Sequence, residues 1–214
     1  MARNYAVVTG DIIGSRKTQD RMNLQVALQK CLDYINSAFR EDIAIRFQIT
    51  LGDEFQGLVV NLGAAPTITS IIREELYPIS VRLAIGIGSI DTDLTSQISR
   101  MDGPAFHFSR AGMEQISKRE GQRTAYITND PHVNDILAVV ARLSDILLAE
   151  RTNKQWEAIR LYRKEKKLKK VADRLGVKFQ NVHKRLQAAH WDDIEQANQS
   201  LGKFLAARFS PNAG

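Results

Sequence analysis

With 214 residues, 43% of them hydrophobic, the chain can fill one full core and a small second module, and its single cysteine, Cys31, excludes an internal disulfide framework and a cysteine-based zinc site. The first apolar run, Tyr5 to Val8, is too short for a secretory h-region, and Arg142 and Asp145 interrupt the apolar stretch from Ile136 to Leu148, so a cytoplasmic protein is expected and a membrane span is not. The net charge of +6 divides unevenly: Arg151 to His190 holds 13 Lys or Arg against 3 acids (+10), which leaves 17 basic and 21 acidic residues (−4) elsewhere, the pattern of a nucleic-acid reader attached to a mildly acidic body.

In chain order, Tyr5 to Thr9 reads as a buried strand that ends in a tight loop at Gly10-Asp11. Leu24, Leu28, Leu32, Ile35 and Phe39 then form a helical stripe over 21–39. Ile43 to Leu51 and Phe55 to Leu62 are β-rich and meet through Gly52-Asp53-Glu54, which predicts an antiparallel hairpin with acidic residues at its tip. A helix near 66–76 follows, and then the strand Val81 to Gly88, whose two glycines point to the close approach of a backbone or a ligand. Gly103-Pro104 opens a helix that runs to about Lys118, and Thr124 to Thr128 is a last strand. The order β-α-β-β-α-β-α-β predicts an α+β, ferredoxin-like core with helices on one face.

Asn129-Asp130-Pro131 is a turn, and from Val133 the pattern is helical, so a boundary near residue 131 is expected, with domains at 1–130 and 131–214. Thr152 can cap a helix carrying Trp156, Ile159 and Leu161. A helix, a glycine turn at Gly176 and a second helix from Lys178 to Ala189 then predict a helix-turn-helix within about 152–190, with an ordinary helical hairpin as the alternative. In such a motif Lys178, Gln180, Asn181, Lys184 and Arg185 would enter the major groove of double-stranded DNA. Lys166, Lys167, Lys169 and Lys170 would reach phosphates instead. RNA or an acidic protein is the rival partner for the same surface.

Two Gly-Asp pairs lie at strand-loop junctions, in Gly10-Asp11-Ile12-Ile13-Gly14-Ser15-Arg16-Lys17 and in Gly52-Asp53-Glu54-Phe55-Gln56-Gly57. If the first strand lies beside the hairpin, the carboxylates converge, and mutual repulsion either raises a pKa or recruits a hard cation such as Mg²⁺. Free amides of the loop after Asp11 can cradle a phosphate, with Arg16 or Lys17 offsetting its charge. A P-loop is excluded by spacing, because three residues separate Gly10 from Gly14 where four are needed.

These motifs resemble those of class III nucleotidyl cyclases. TGDIIGS is similar to their first metal loop, LGDEFQGLVV to their second metal hairpin and to the GGDEF signature of diguanylate cyclases with Leu51 in place of the first glycine, and GPAFHFSRAGMEQIS to the cyclase helix. Over almost its full length the chain resembles the SatD family, which combines GDIIGSR and GDEFQG with a C-terminal helix-turn-helix. The resemblance implies a nucleotidyl cyclase-type core and Mg²⁺ or Mn²⁺ held with a nucleotide by Asp11, Asp53 and the Ile12 carbonyl. It further implies Glu54 as an auxiliary acid and phosphate contacts from Ile13, Gly14 and Ser15. His107 stands where the ribose-orienting asparagine belongs, and Ala111 replaces the transition-state arginine with Arg110 one residue early, so efficient cyclisation is not implied. Three functions stay open: a nucleotide-responsive DNA-binding regulator, forming a homodimer as class III cyclases do; a metal-dependent phosphoryl-transfer enzyme using Asp11, Asp53 and Glu54; and a dimerisation scaffold.

Overall fold

The computed structural model describes residues 3–15 and 20–210. Five strands, β1 (Tyr5–Ile12), β2 (Ile43–Leu51), β3 (Glu54–Val59), β4 (Val81–Gly88) and β5 (Thr124–Ile127), form one mixed sheet in the order β2-β3-β1-β4-β5. Its pairs are antiparallel except β4 with β5, which is parallel. The α+β class and the succession of elements are those expected.

Helices α1 (Arg21–Ala38) and α2 (Ala65–Leu76) cover one face, where Ala6, Val8 and Ile12 of β1 pack with Leu28, Leu32 and Ile72. The expectation of helices on one face only is corrected by α3 (Pro104–Ser117), which lies on the other with Ala105 and Phe106 against Val7 and Leu58. Alternate residues of a strand point to opposite faces, and β1 is apolar at both sets of positions, so both faces need a cover. The approach expected at the glycines of β4 is made by the backbone of α3, because a Cβ at Gly86 would collide with the Ala105 carbonyl and the Ser109 amide.

The turn expected at Gly10-Asp11 is also corrected, since β1 continues through both residues to Ile12. Gly10 serves cross-strand packing: a Cβ there would lie 2.7 Å from Phe55 Cε1 and 2.8 Å from Leu83 Cδ2. Asp11 consequently stands inside the sheet, opposite Arg82 of β4.

The remaining elements are helical: α4 (Pro131–Ala149), α5 (Asn153–Glu165), α6 (Leu168–Leu175), α7 (Phe179–Ala188) and α8 (Trp191–Phe209). Asp130 caps α4 by accepting from the His132 and Val133 amides. A division of the core near residue 131 is not observed, because Val133, Leu137 and Ala141 of α4 and Leu205 and Phe209 of α8 join the sheet's main core. Apolar pattern marked α4 as a helix without revealing which surface it meets. At Gly202 the backbone of α8 approaches Gly63 so closely that a Cβ would strike the Gly63 carbonyl.

A second, smaller core lies among α5, α6 and α7, formed by Trp156, Ile159, Val171, Ala172, Val182 and Leu186. Thr152 and Gln155 build a reciprocal capping box at the start of α5, and Gly176, at φ 61°, ends α6 in the left-handed conformation that glycine adopts without penalty. Arg163 of α5 donates to Glu74 of α2 and Glu195 of α8, tying the two cores together. Among the described residues no helix is long and apolar enough to cross a membrane.

Candidate functional site

Antiparallel pairing of β3 with β1 brings the two Gly-Asp motifs to one end of the sheet, as sequence spacing anticipated. Asp11, Ser15, Asp53 and Glu54 line an open cleft of about 490 Å³, with Arg21, Leu24 and Gln25 of α1 on its other wall. Asp53 Oδ2 accepts from the Ile12 amide at 3.2 Å, so the turn between β2 and β3 is held directly against the end of β1. Glu54 accepts from the Thr50 hydroxyl at 3.4 Å.

Asp11 does not stand as an unrelieved negative charge. Arg82 Nε donates to its Oδ1 at 2.7 Å and Arg82 Nη2 to its Oδ2, a two-point pair. Hydrogen bonding to Asp11 holds the guanidinium above its ordinary value against partial burial, with Asp53 adding to the attraction. Arg82 is the site residue missed by reading the sequence. Its signal was the isolated charge in VRLAIGIG, but only the register Asp11 to Arg82 gives it a partner.

One expected phosphate donor, the Ile13 amide, is engaged elsewhere, as is the Ile12 amide before it. The Ile12 amide goes to Asp53 and the Ile13 amide to the Ser80 carbonyl at 2.8 Å, because the chain is still following the sheet edge there. Gly14, with φ 76°, turns the chain away from β1, and Ser15 is the following residue that lines the cleft. Arg16 and Lys17 lie outside the described residues.

His107 and Arg110 are not brought to this cleft. Both are exposed on α3, and His107 Nε2 stands 3.5 Å from Asp102 Oδ1. The first turn of α3, which carries His107, packs on Gly88, which pairs with Tyr5, whereas Asp11 is six residues further along β1, roughly 20 Å at strand rise. Arg110 follows Ser109, whose hydroxyl meets that of Thr9, but its side chain is exposed and does not line the cleft.

Among the described residues no cluster of three or more His, Cys, Asp or Glu is built to hold a metal ion. Two convergent carboxylates, one paired with arginine, nevertheless match the donor set of Mg²⁺, which keeps several waters and uses one or two carboxylates together with the phosphates it accompanies. The contact shown by Ile12 is through its amide.

The basic segment sorts into two groups. Arg151 and Arg163 are buried, and Arg160 and Lys164 face Glu75 of α2, so four of the 13 cations serve the interior or the junction with the body. Lys166, Lys167, Lys169, Lys178, Gln180, Asn181 and Lys184 are exposed, and Arg185 is half-buried. Lys170 is exposed and shares Glu165 with Arg174. Val182 and Leu186 turn α7 into the small core, which leaves Gln180, Asn181 and Lys184 facing outward.

The fold and cleft thus define an α+β protein with a carboxylate site at one sheet end and a basic helical unit that follows the sheet in the chain. The chain belongs to the SatD family, whose profile matches residues 5–194. Among solved structures, a bacterial light-regulated adenylyl cyclase is similar at 14% identity and a TM-score of 0.42, over 59% of this chain and 76% of that one. A regulator of polyketide synthase expression from Bifidobacterium adolescentis is similar at 13% identity and a TM-score of 0.31, over 95% and 82%. Neither likeness carries weight at these scores. No curated protein matches the chain.

Proposed function

We propose that this protein is a cytoplasmic, nucleotide-responsive DNA-binding transcriptional regulator. In this reading the sheet body is a ferredoxin-like, cyclase-type domain, and α6, the Gly176 turn and α7 are a helix-turn-helix. The observation that carries it is α7, whose apolar side fills a small core while Gln180, Asn181 and Lys184 face outward beside an exposed lysine run. Side-chain amides read adenine edges and lysines contact phosphates, so the surface has both parts of a DNA reader.

The cleft supplies the response. Asp53 and Asp11 would hold Mg²⁺ or Mn²⁺ arriving with a nucleotide, and the metal would neutralise phosphate charge beside two carboxylates. Ser15 and Arg21 stand at the cleft to meet the ligand. Homodimerisation belongs to the same proposal, supported by an unpaired stripe on α4 in which Ile136, Val139, Leu143 and Ile146 are all exposed. Turnover within one chain is disfavoured by the pairing of Asp11 with Arg82 and by His107 and Arg110, which are exposed on α3 and do not line the cleft.

The test is a titration of the full chain against random duplex DNA at two salt concentrations. Binding that weakens steeply with salt is the expected result, with a log-log slope of about −0.9 per phosphate neutralised. Failure to bind at low salt defeats the DNA reading.

A further inference from the structure

A second cavity, of about 270 Å³, lies where the sheet body meets α5. Arg73 of α2, Arg123 just before β5 and Arg151 between α4 and α5 line it, together with the stacked rings of Tyr77 and Trp156. Asp145 is the one carboxylate in this lining, and it is already engaged. It accepts from the Arg123 amide at 2.7 Å, the Thr124 amide at 2.9 Å and the Thr124 hydroxyl at 2.6 Å, and Arg73 Nη1 stands 3.4 Å away. Arg73 Nη2 is in turn used by the Arg123 carbonyl and the Thr124 hydroxyl. Three guanidinium groups against a single committed carboxylate leave the wall positive.

Arg151 is the member that the fold does not account for. Its Nε donates to the Ala189 carbonyl at 2.9 Å and its guanidinium lies over the Trp156 ring at 4.9 Å. The residue is 7% exposed, and both terminal nitrogens are buried with no hydrogen-bond partner in the chain. Glu74 and Glu195 attract it without bonding it, and burial brings its pKa down to about 10, so it remains charged at neutral pH. Unanswered donors on a buried cation are costly, and the planar fork of arginine matches two oxygens of a carboxylate or phosphate.

We propose that this cavity binds a small oxyanion, a phosphate or carboxylate group, through Arg151 with Arg123 as its second cation. The bound group lies between the sheet body and the helical unit, and the Arg151 bond to Ala189 ties it to the end of α7. The site is separate from the Asp11 and Asp53 cleft and does not depend on DNA binding.

The full chain is titrated calorimetrically with inorganic phosphate and, in a second arm, with malonate, at constant ionic strength balanced by chloride. Saturable binding of either anion is expected, and the arm that responds identifies the source of the oxyanion. Arg151→Met weakens it by about tenfold or more, as loss of a charged hydrogen-bonding group does. Arg123→Ser, a change at a half-buried residue, weakens it in a protein whose ligand-free melting is unaltered, which keeps the test decisive if Arg151→Met fails to fold. No saturable binding of either anion, or binding unchanged in Arg123→Ser, overturns the proposal.

Discussion

Replacing Arg163 with methionine tests how the two cores are joined. Its side chain is 8% exposed and faces Glu74 at 2% and Glu195 at 16% exposed, so removing it strands two carboxylates, one of them deep in the protein. Breaking a buried pair from one side costs about 3–5 kcal/mol. For a chain of this size that corresponds to a fall in Tm of roughly 6–20 °C, at about 2–4 °C per kcal/mol. The loss carries a pH signature. Burial already raises the Glu74 carboxyl above its ordinary value against the opposing pull of Arg163, and without Arg163 it rises further. The folded state then binds more protons than the unfolded chain between the unfolded carboxyl value, about 4.3, and the raised one, so stability falls as pH rises through that window. Arg163→Met is accordingly expected to be weaker, relative to wild type, at pH 8 than at pH 5, and adding Glu74→Gln recovers part of the loss. Thermal and urea unfolding at both pH values measure this. A deficit below about 1 kcal/mol, or one equal at the two pH values, refutes the reasoning.

Asp11→Asn combined with Asp53→Asn is expected to abolish the Mg²⁺-dependent thermal shift with a nucleoside triphosphate while leaving the fold intact; an unchanged shift places the metal elsewhere. Gly10→Ala inserts a methyl between Phe55 and Leu83 and is expected to cost about 1–3 kcal/mol in denaturant melts, with an effect within error refuting the packing role of Gly10. Replacing Gln180 or Asn181 with alanine should relax sequence preference by about 1–3 kcal/mol per lost base contact, whereas neutralising Lys166, Lys167, Lys169 and Lys170 should weaken all duplexes alike and flatten the salt dependence; competition titrations separate the two.

Local chemistry was legible where one segment contains its own explanation. The periodicity of α1, the hairpin of β2 and β3, the cap at Thr152 and the glycine at the end of α6 all follow from residues within a few positions of one another. Convergence of Asp11 and Asp53 was legible too, because a strand beside a hairpin has few ways to arrange its ends. Gly10-Asp11 misled for a related reason: glycine before aspartate has the composition of a turn, and the need for glycine came from Phe55, 45 positions away.

What the sequence by itself determined, then, was the succession of elements, the two acidic loops and the concentration of charge after residue 150. Only the tertiary structure decided which charges are answered. Arg82 meets Asp11 through strand register; Arg163 and Arg151, counted with the basic segment, lie buried at the junction; and α4, read as the start of a second domain, completes the main core. A side chain's charge is local, but its partner and its exposure to water depend on which distant surfaces close over it, and no spacing within a segment records that.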